Sequence, residues 1–416
     1  MNCSNTPLRL DLTQSLRNGS LAGCEAPYRK WLDERGYTAR TSRAYILWLT
    51  HFAKWGTELG LTCETLSCAT IARFIDEHLP CCDCPHPVQR SRVQVRAALR
   101  QLQPALVAAG FTTFVEADPN AVERELQRYD AYLRDRRGLA ASTRLSRQKI
   151  IRDLLQLTAS VADRPAWQEA SRLRRFAAER ADRWSPASLG TLAGALRSYL
   201  RYRRSLGDDV VALLPLVTSP AQWRLSGLPE TLSADEVESV LASFGPSLPS
   251  WRRGLAIAQC VARLGLRSAE VVALELEDLD WDTATIRLRR CKSRRVDRLP
   301  MPVLVGEAMT NYLRHERPSC KSRRVFVRHV APVEEPLLPG VVKRALLEAY
   351  ARCGLPYTRV HIFRHSLAAR VLAGGGTLKE VADLLRHRHL DTTQIYAKVD
   401  LRRLDAVAMP WPGSAT

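Results

Sequence analysis

Apolar residues recur at helical spacing through most of the chain, and strand-like alternation is confined to one short stretch. Upstream of about residue 226, strings of Leu, Ala and Arg with few β-branched runs predict helices. Further on, "TIRLR" from Thr285 and "VDRLP" from Val296 flank the turn "CKSRR", which predicts a β-hairpin. The pattern therefore predicts a mostly α protein with a small β-sheet.

The helical part contains what reads as the same unit twice. "YRKWLDERGYTARTSRAY" from Tyr28 resembles "YDAYLRDRRGLAASTRLSR" from Tyr129, and each unit later closes on an arginine-rich amphipathic helix, within residues 90–110 and 185–207. A Pro-, Ser- and Gly-bearing linker follows at 217–227. Because 416 residues exceed one ordinary domain of roughly 100–200, we predict three domains, at residues 1–118, 119–226 and 227–416.

The charge balance favours a polyanionic partner. With 62 basic and 43 acidic residues the formal net charge is +19. Arginine outnumbers lysine, as suits planar phosphate contacts, although a GC-rich genome that prefers arginine codons would give the same bias. One predicted helix has an arginine face with two tyrosines, which suits a phosphate backbone or else is a solvated basic face. Its residues are Arg197, Arg201, Arg203 and Arg204 beside Tyr199 and Tyr202.

The remaining composition predicts a cytoplasmic protein with reduced thiols. No apolar run approaches the ~18 residues of a membrane span, and the N-terminus lacks a signal-peptide core. The 11 cysteines are an odd number without a secretion signal. A cluster in "HLPCCDCPHP" could hold zinc, but without a C-x-x-C pair and a distant second pair, free thiols in a loop are expected and no metal is predicted. The cluster is His78, Cys81, Cys82, Cys84 and His86.

Two patches in the downstream part carry cations suited to a phosphodiester. In "LGLRSAEV", Gly265 ends one helix, Ser268 can cap the next, and Arg267 lies beside the free backbone N–H groups of that helix start. Lys292, in the hairpin turn, stands among arginines. A lysine beside other cations can release a proton near neutral pH, whereas an arginine cannot, so Lys292 is the candidate general acid.

Two further patches carry histidines and a tyrosine. In "HIFRHSLAARVLAGGG", His361 and Arg364 are three residues apart on a predicted helix and form a candidate proton acceptor and anion clamp. His365 is expected to pack or to support an active-site residue. In "LLRHRHLDTTQIYAKV", His387 follows a helix end, and Tyr396 rides on a short helix expected to begin at Asp391. Taken alone, Tyr396 would be an ordinary half-buried aromatic residue.

The order of these patches, over about residues 228 to 400, resembles the tyrosine recombinase (phage integrase) family. The resemblance implies a mixed α+β catalytic domain, a core-binding domain at 119–226 and an extra SAM-like, core-binding-like helical domain at 1–118. Phe363 replaces the usual leucine of H-x-L-R-H, and Arg386 replaces the usual glycine before His387. The six active-site residues that it implies are Arg267, Lys292, His361, Arg364, His387 and Tyr396.

The resemblance also implies a function. It implies a site-specific DNA recombinase or integrase that works through a covalent 3′-phosphotyrosyl intermediate without ATP, metal or other cofactor, in integration or transposition of a mobile element. The partner would be double-stranded DNA, on which the chain would assemble as a homo-tetramer with or without other recombinases. The expected location is the cytoplasm or nucleoid, without a membrane. The alternatives are a type IB topoisomerase, a telomere resolvase, and a DNA-binding accessory protein that has lost catalysis.

Overall fold

Helices dominate the computed structural model of the chain. The described residues are 19, 21–84, 88–111, 120–157, 168–221, 227–289, 296–333, 335–387 and 392–399. The chain forms two compact units: Met1–Cys63, Glu77–Thr112 and Leu225–Thr416 in the first, Glu64–Asp76 and Thr113–Arg224 in the second. The predicted domain boundaries, after residues 118 and 226, fall outside the described residues and stay a prediction.

The N-terminal helices pack around a buried tyrosine of the first helix. Tyr28 is fully buried and its hydroxyl donates to the carbonyl of Ala98, 2.8 Å away, which ties the first helix to the last of this stretch. Thr38 caps the second helix by accepting from the N–H of Thr41. In chain order the elements are α1 (Glu25–Glu34), α2 (Ala39–Glu58), α3 (Cys68–Arg73), a π-helical segment (Phe74–His78), one helical turn (Leu79–Cys81) and α4 (Arg92–Ala108).

The second unit buries Tyr129, the residue that matches Tyr28 in the sequence repeat. Its ring lies 5.3 Å from both Tyr199 and Tyr202, so the two tyrosines of the predicted basic face pack in the core. Arg203 on that face pairs with Glu125 at 2.8 Å. Arg197 donates to the Val217 carbonyl at 3.0 Å, whereas Arg201 and Arg204 are exposed. The helices are α5 (Ala121–Ala131), α6 (Ala141–Gln156), α7 (Ala170–Ala181) and α8 (Pro186–Ser205).

Local sequence signals place several of the elements downstream of residue 227. Ser233 caps α9 and forms a capping box with Glu236. The hairpin strands pair antiparallel, with Thr285 opposite Pro300, while the turn that holds Lys292 lies outside the described residues. The helices are α9 (Ala234–Ala242), α10 (Trp251–Leu264), α11 (Ser268–Ala273), α12 (Val303–His315), α13 (Pro339–Arg352), α14 (His361–Ala373) and α15 (Leu378–Leu384). The sheet order is β1 (Leu279–Asp280), β2 (Thr285–Leu288) and β3 (Asp297–Pro300).

One expectation about the thiols differs from the structure. Cys24 and Cys63 form a disulfide across 39 residues, so the reading of all cysteines as reduced thiols was wrong at this pair. No local pattern indicates the pairing, because the two residues meet only once the surrounding helices pack. Among the described residues, no helix is both long and apolar enough to cross a bilayer.

Candidate active site

The start of α11 is shaped by Gly265. This residue ends α10 with a left-handed φ of +59°, and a β-carbon there would lie 2.9 Å from the Leu385 side chain and 3.0 Å from that of Leu367. Glycine is therefore needed for both its conformation and its size. Arg267 occupies the N-cap of α11, and Ser268, predicted as the cap, is instead the first helical residue.

Glu270 connects two arginines beneath the site. Its Oε1 accepts from Nη1 of Arg267 at 2.7 Å, and its Oε2 accepts from the Arg267 N–H at 2.8 Å and from Nη2 of Arg386 at 2.9 Å. Burial pushes the pKa of Glu270 upward, but the cations of Arg386 and Arg267 hold it below its usual value. The carboxylate is thus charged and orients both guanidinium groups.

Arg386 enters this cluster through an unusual backbone conformation. Its φ is +55°, which explains why glycine is usual at this position. The cost is offset because its side chain, 3% exposed, reaches the Glu270 carboxylate, 4% exposed. Arg386, the residue before His387, is therefore part of a buried ion pair and not an exposed surface cation.

Arg364 is the most deeply buried of the predicted cations that the structure describes. Its Nη1 donates to the carbonyl of Gly265 and its Nη2 to that of Leu385, so one guanidinium joins the end of α10 to the end of α15. Burial, then repulsion from Arg267 and Arg386, lowers its pKa to about 9. Arg267 and Arg386 contact the carboxylate of Glu270, and the charge of Arg364 interacts with all three groups. This excess of positive charge among the described side chains favours binding of an anion.

Tyr396, in the 3₁₀ segment Gln394–Val399, packs in a small apolar cluster with side chains of α14 and α15. Its side chain is buried, and its hydroxyl lies 2.8 Å from Nδ1 of His365. The His387 ring lies parallel to the tyrosine ring at 6.4 Å, while His387 Nδ1 contacts Thr393 Oγ1 at 2.8 Å. Burial raises the pKa of Tyr396, and the cations of Arg364 and Arg267 act against that rise.

The structure brings together four of the six predicted residues, Arg267, Arg364, His387 and Tyr396. His361 is the exposed first residue of α14, and its charge acts on His365. Lys292 and Asp391 lie outside the described residues. Sequence reasoning missed Glu270 and assigned His365 to packing or to support of an active-site residue, whereas its Nδ1 contacts the Tyr396 hydroxyl directly. The spacing R-x-x-E at the start of a helix, which is the capping-box spacing, was the available signal for Glu270.

His387 should make the fold sensitive to acid. Burial, then the cations of Arg364 and Arg267, lowers its pKa to about 4, whereas an unfolded histidine titrates near ~6.5. Between these values the unfolded chain binds more protons, so the stability due to neutral His387 is complete above pH ~6.5 and is lost as the pH falls toward 4. When the pH is lowered from 7 to 5, we expect the Tm of His387→Gln to decrease less than the Tm of the wild type. Exposed His315 supplies the control: His315→Gln should follow the wild-type profile, and identical slopes for both variants would refute the assignment.

A β-carbon at residue 265 should disturb the site through both strain and contact. We expect Gly265→Ala to reduce the free energy of unfolding by about 1–3 kcal/mol. Gly354 is a matched control, because its φ is +68° and a β-carbon added there would meet no described atom within 4 Å. Gly354→Ala should therefore show the backbone cost alone. Equal losses for both variants in urea unfolding would mean that the contacts with Leu367 and Leu385 carry no cost.

Comparisons with known proteins identify the family of this chain. The phage integrase family model matches residues 230–403. A protein of Sinorhizobium fredii named as an integrase/recombinase, y4rA, is 35% identical over 398 residues, which is 94% of each chain. The tyrosine recombinase XerC of Rhizobium meliloti is 30% identical over 303 residues, 68% of this chain and 91% of its own. The chain belongs to the tyrosine recombinase family. This recombinase is therefore an enzyme of DNA strand cleavage and rejoining.

Solved structures support the same fold at low sequence identity. A lambda integrase dimer bound to a core site matches with a TM-score of 0.51 and 17% identity, covering 70% of this recombinase and 98% of that chain. The XerH recombinase bound to its difH substrate matches with a TM-score of 0.50 and 16% identity, covering 89% of this recombinase and 96% of that chain. The mostly α fold with a small sheet is confirmed.

Proposed function

We propose that this recombinase exchanges DNA strands at specific sites through a covalent 3′-phosphotyrosyl intermediate formed by Tyr396. The observation that carries the proposal is the placement of one buried tyrosine hydroxyl within reach of a histidine, beside the guanidinium groups that surround the Glu270 carboxylate. Such an arrangement suits attack on an anionic phosphodiester and has no evident use for a neutral substrate.

Arg267 and Arg364 form the phosphate clamp in this proposal. Glu270 fixes the Arg267 guanidinium at 2.7 Å, and the carbonyls of Gly265 and Leu385 fix that of Arg364, so both are oriented before DNA arrives. An arginine has five N–H donors, and those not used in these bonds are available to the non-bridging phosphate oxygens. His387, held through Nδ1 by Thr393, would give a further donor as charge builds on the phosphorus.

The proposed reaction is a transesterification at phosphorus. The Tyr396 oxygen bonds to phosphorus, the bond from phosphorus to the 5′ oxygen breaks, and the tyrosine proton passes to a neighbouring base. His365 is placed for that step, since its Nδ1 contacts the hydroxyl and burial, then the charges of His361 and Arg364, lowers its pKa. Lys292 would protonate the leaving 5′ oxygen. Because the Tyr396 side chain is only 2% exposed, the segment that bears it must open for a phosphate to enter.

DNA is the partner in this proposal. The formal charge of +19 and the exposed Arg201 and Arg204 of α8 suit a phosphate backbone, and binding should weaken steeply with salt. The relatives include a transposon Tn1549 integrase solved with a circular intermediate DNA. We infer a role in integration or transposition of a mobile element, carried out by a homo-tetramer on DNA.

The test is a covalent trapping experiment on DNA that spans the ends of the sequence flanking the gene. Nicked duplexes would be incubated with the protein without metal, resolved on a denaturing gel, and the adduct digested for mass spectrometry. A DNA-linked peptide that carries the phosphate on Tyr396, formed only with duplexes from particular flanking positions, is the expected result.

Two other outcomes would reject the proposal in different ways. Relaxation of supercoiled plasmids that lack those positions, with an adduct at any sequence, would indicate a topoisomerase. Tight, salt-sensitive binding without an adduct on the authentic junctions would indicate an accessory protein without catalysis.

A further inference from the structure

A second cluster of reactive side chains lies in the N-terminal helices of the first unit, outside the active site. It joins His51 in the middle of α2, His78 at the end of the π-helical segment, and Cys82 and Cys84 just beyond the turn Leu79–Cys81. One ligand atom from each of the four residues lies within 4.8 Å of all the others. His51 and Cys82 are buried, and His78 and Cys84 are half-buried.

Three distances in this cluster match the edges of a coordination tetrahedron. With zinc bonds of about 2.0–2.1 Å to nitrogen and 2.3 Å to sulfur, a tetrahedral site requires about 3.3 Å between two nitrogens and about 3.6 Å between nitrogen and sulfur. Nε2 of His51 lies 3.4 Å from Nε2 of His78 and 3.4 Å from Sγ of Cys82. Sγ of Cys84 lies 3.6 Å from Nε2 of His78. These three edges fit a tetrahedral zinc site, and all four ligand atoms lie within 4.8 Å of one another.

We propose that His51, His78, Cys82 and Cys84 bind one zinc ion that stabilises the N-terminal helices. Two thiolates and two imidazoles form a donor set that suits Zn²⁺ and is unsuited to Mg²⁺ or Ca²⁺. The two thiolate charges also cancel the charge of the ion, so the loaded site is neutral and can remain largely buried. Four protein ligands fill the tetrahedron, which is typical of structural rather than catalytic sites.

Both histidines enter the cluster through the same ring atom. Nε2 of His51 faces Cys82 Sγ and Nε2 of His78 faces Cys84 Sγ, and a metal binds the imidazole in its neutral form through such a nitrogen. His51 is presented by the 20-residue helix α2, whereas the other three ligands come from seven consecutive residues. The ion would thus hold the segment from His78 to Cys84 against a long helix.

The cluster predicted from the sequence differs in part from the cluster in the structure. It included Cys81 and His86 and lacked His51, which is 27 residues before His78. In the structure Cys81 is exposed and its Sγ contacts the Glu77 carbonyl at 3.0 Å, so it is not a ligand; His86 lies outside the described residues. Cys81 is adjacent to Cys82 in sequence, which makes it the matched control.

The experiment measures metal content on the full chain. Protein purified under reducing conditions, or reconstituted with zinc sulfate and desalted, should contain about one zinc per chain. Cys82→Ser and His51→Asn should lower the content at least fivefold, while Cys81→Ser should keep it. Cobalt(II) in place of zinc should give the visible bands of tetrahedral coordination and a thiolate charge-transfer band, with the latter weakened in Cys84→Ser.

Removing the ion from the wild-type protein tests the site without any substitution, so the result does not depend on whether a ligand variant folds. A chelator added to the wild-type protein should lower Tm by more than about 4 °C, and zinc sulfate should restore it. Less than about one zinc per ten wild-type chains after reduction and reconstitution would overturn the proposal. Equal loss of zinc from Cys81→Ser and Cys82→Ser, or a cobalt spectrum without tetrahedral bands, would overturn it as well.

Discussion

Replacing Tyr396 with phenylalanine is expected to abolish DNA strand cleavage, with a loss of at least about 10⁴-fold in the single-turnover rate. The substitution removes one hydroxyl, which is the nucleophile in our proposal, and keeps the ring that packs in the apolar cluster with Leu367 and Leu385. Noncovalent DNA binding at fixed salt should stay within about threefold of the wild type, because the phosphate contacts are unchanged. Adduct formation on nicked duplexes is the measurement.

Tyr357→Phe is the matched control, because it removes a tyrosine hydroxyl that has no role in the proposed reaction. That hydroxyl lies 3.4 Å from the Thr231 carbonyl in the same unit, so its removal deletes a comparable hydrogen bond away from the cations. The control should cleave at the wild-type rate. If Tyr396→Phe still forms an adduct at a rate near that of Tyr357→Phe, another residue is the nucleophile and the assignment of Tyr396 fails.

Replacing Arg364 with lysine should lower the cleavage rate by about 10²–10³-fold while keeping the positive charge. The guanidinium reaches the carbonyls of Gly265 and Leu385 at once and still has donors for a phosphate, whereas one ammonium group cannot hold that geometry. The rate of adduct formation at saturating DNA would show the loss. The salt dependence of binding should stay close to wild type, because the charge is retained.

Arg370→Lys is the matched control for this variant. Arg370 lies on the same helix α14 and donates to the Ala262 carbonyl at 3.1 Å, so it too joins α14 to α10 through a partly buried guanidinium. Its replacement should leave cleavage within about threefold of wild type. Equal losses for Arg364→Lys and Arg370→Lys would mean that Arg364 acts through the packing of these helices and not on the phosphate.

The sequence predicted the parts of the fold that short-range signals determine. The alternation of the strand from Thr285 and the helix end at Gly265 both depend on residues a few positions apart, and the structure confirms each. The order of the four predicted active-site patches was also visible in the sequence, because members of a family keep the order of their motifs along the chain.

Contacts between distant residues could not be read in the same way. Glu270 meets Arg386 across 116 positions, and His365 meets Tyr396 across 31, so neither partner is visible in a local pattern. His51 was missed for the same reason. It lies in the middle of α2, and the next member of the cluster, His78, follows 27 residues later. These pairings depend on how whole helices pack, which periodicity does not specify.

The buried pair between Glu270 and Arg386 constrains how this family member can change. An arginine at 386 is tolerated only beside an acid at 270, because alone it would be a buried charge in a strained backbone conformation. A return to glycine at 386 would remove the strain but deprive the acid of one of its two cations. A recombinase with an arginine at 386 is therefore expected to have an acid at 270, and a segment carrying Arg386 should be tolerated only in a recipient recombinase that has that acid.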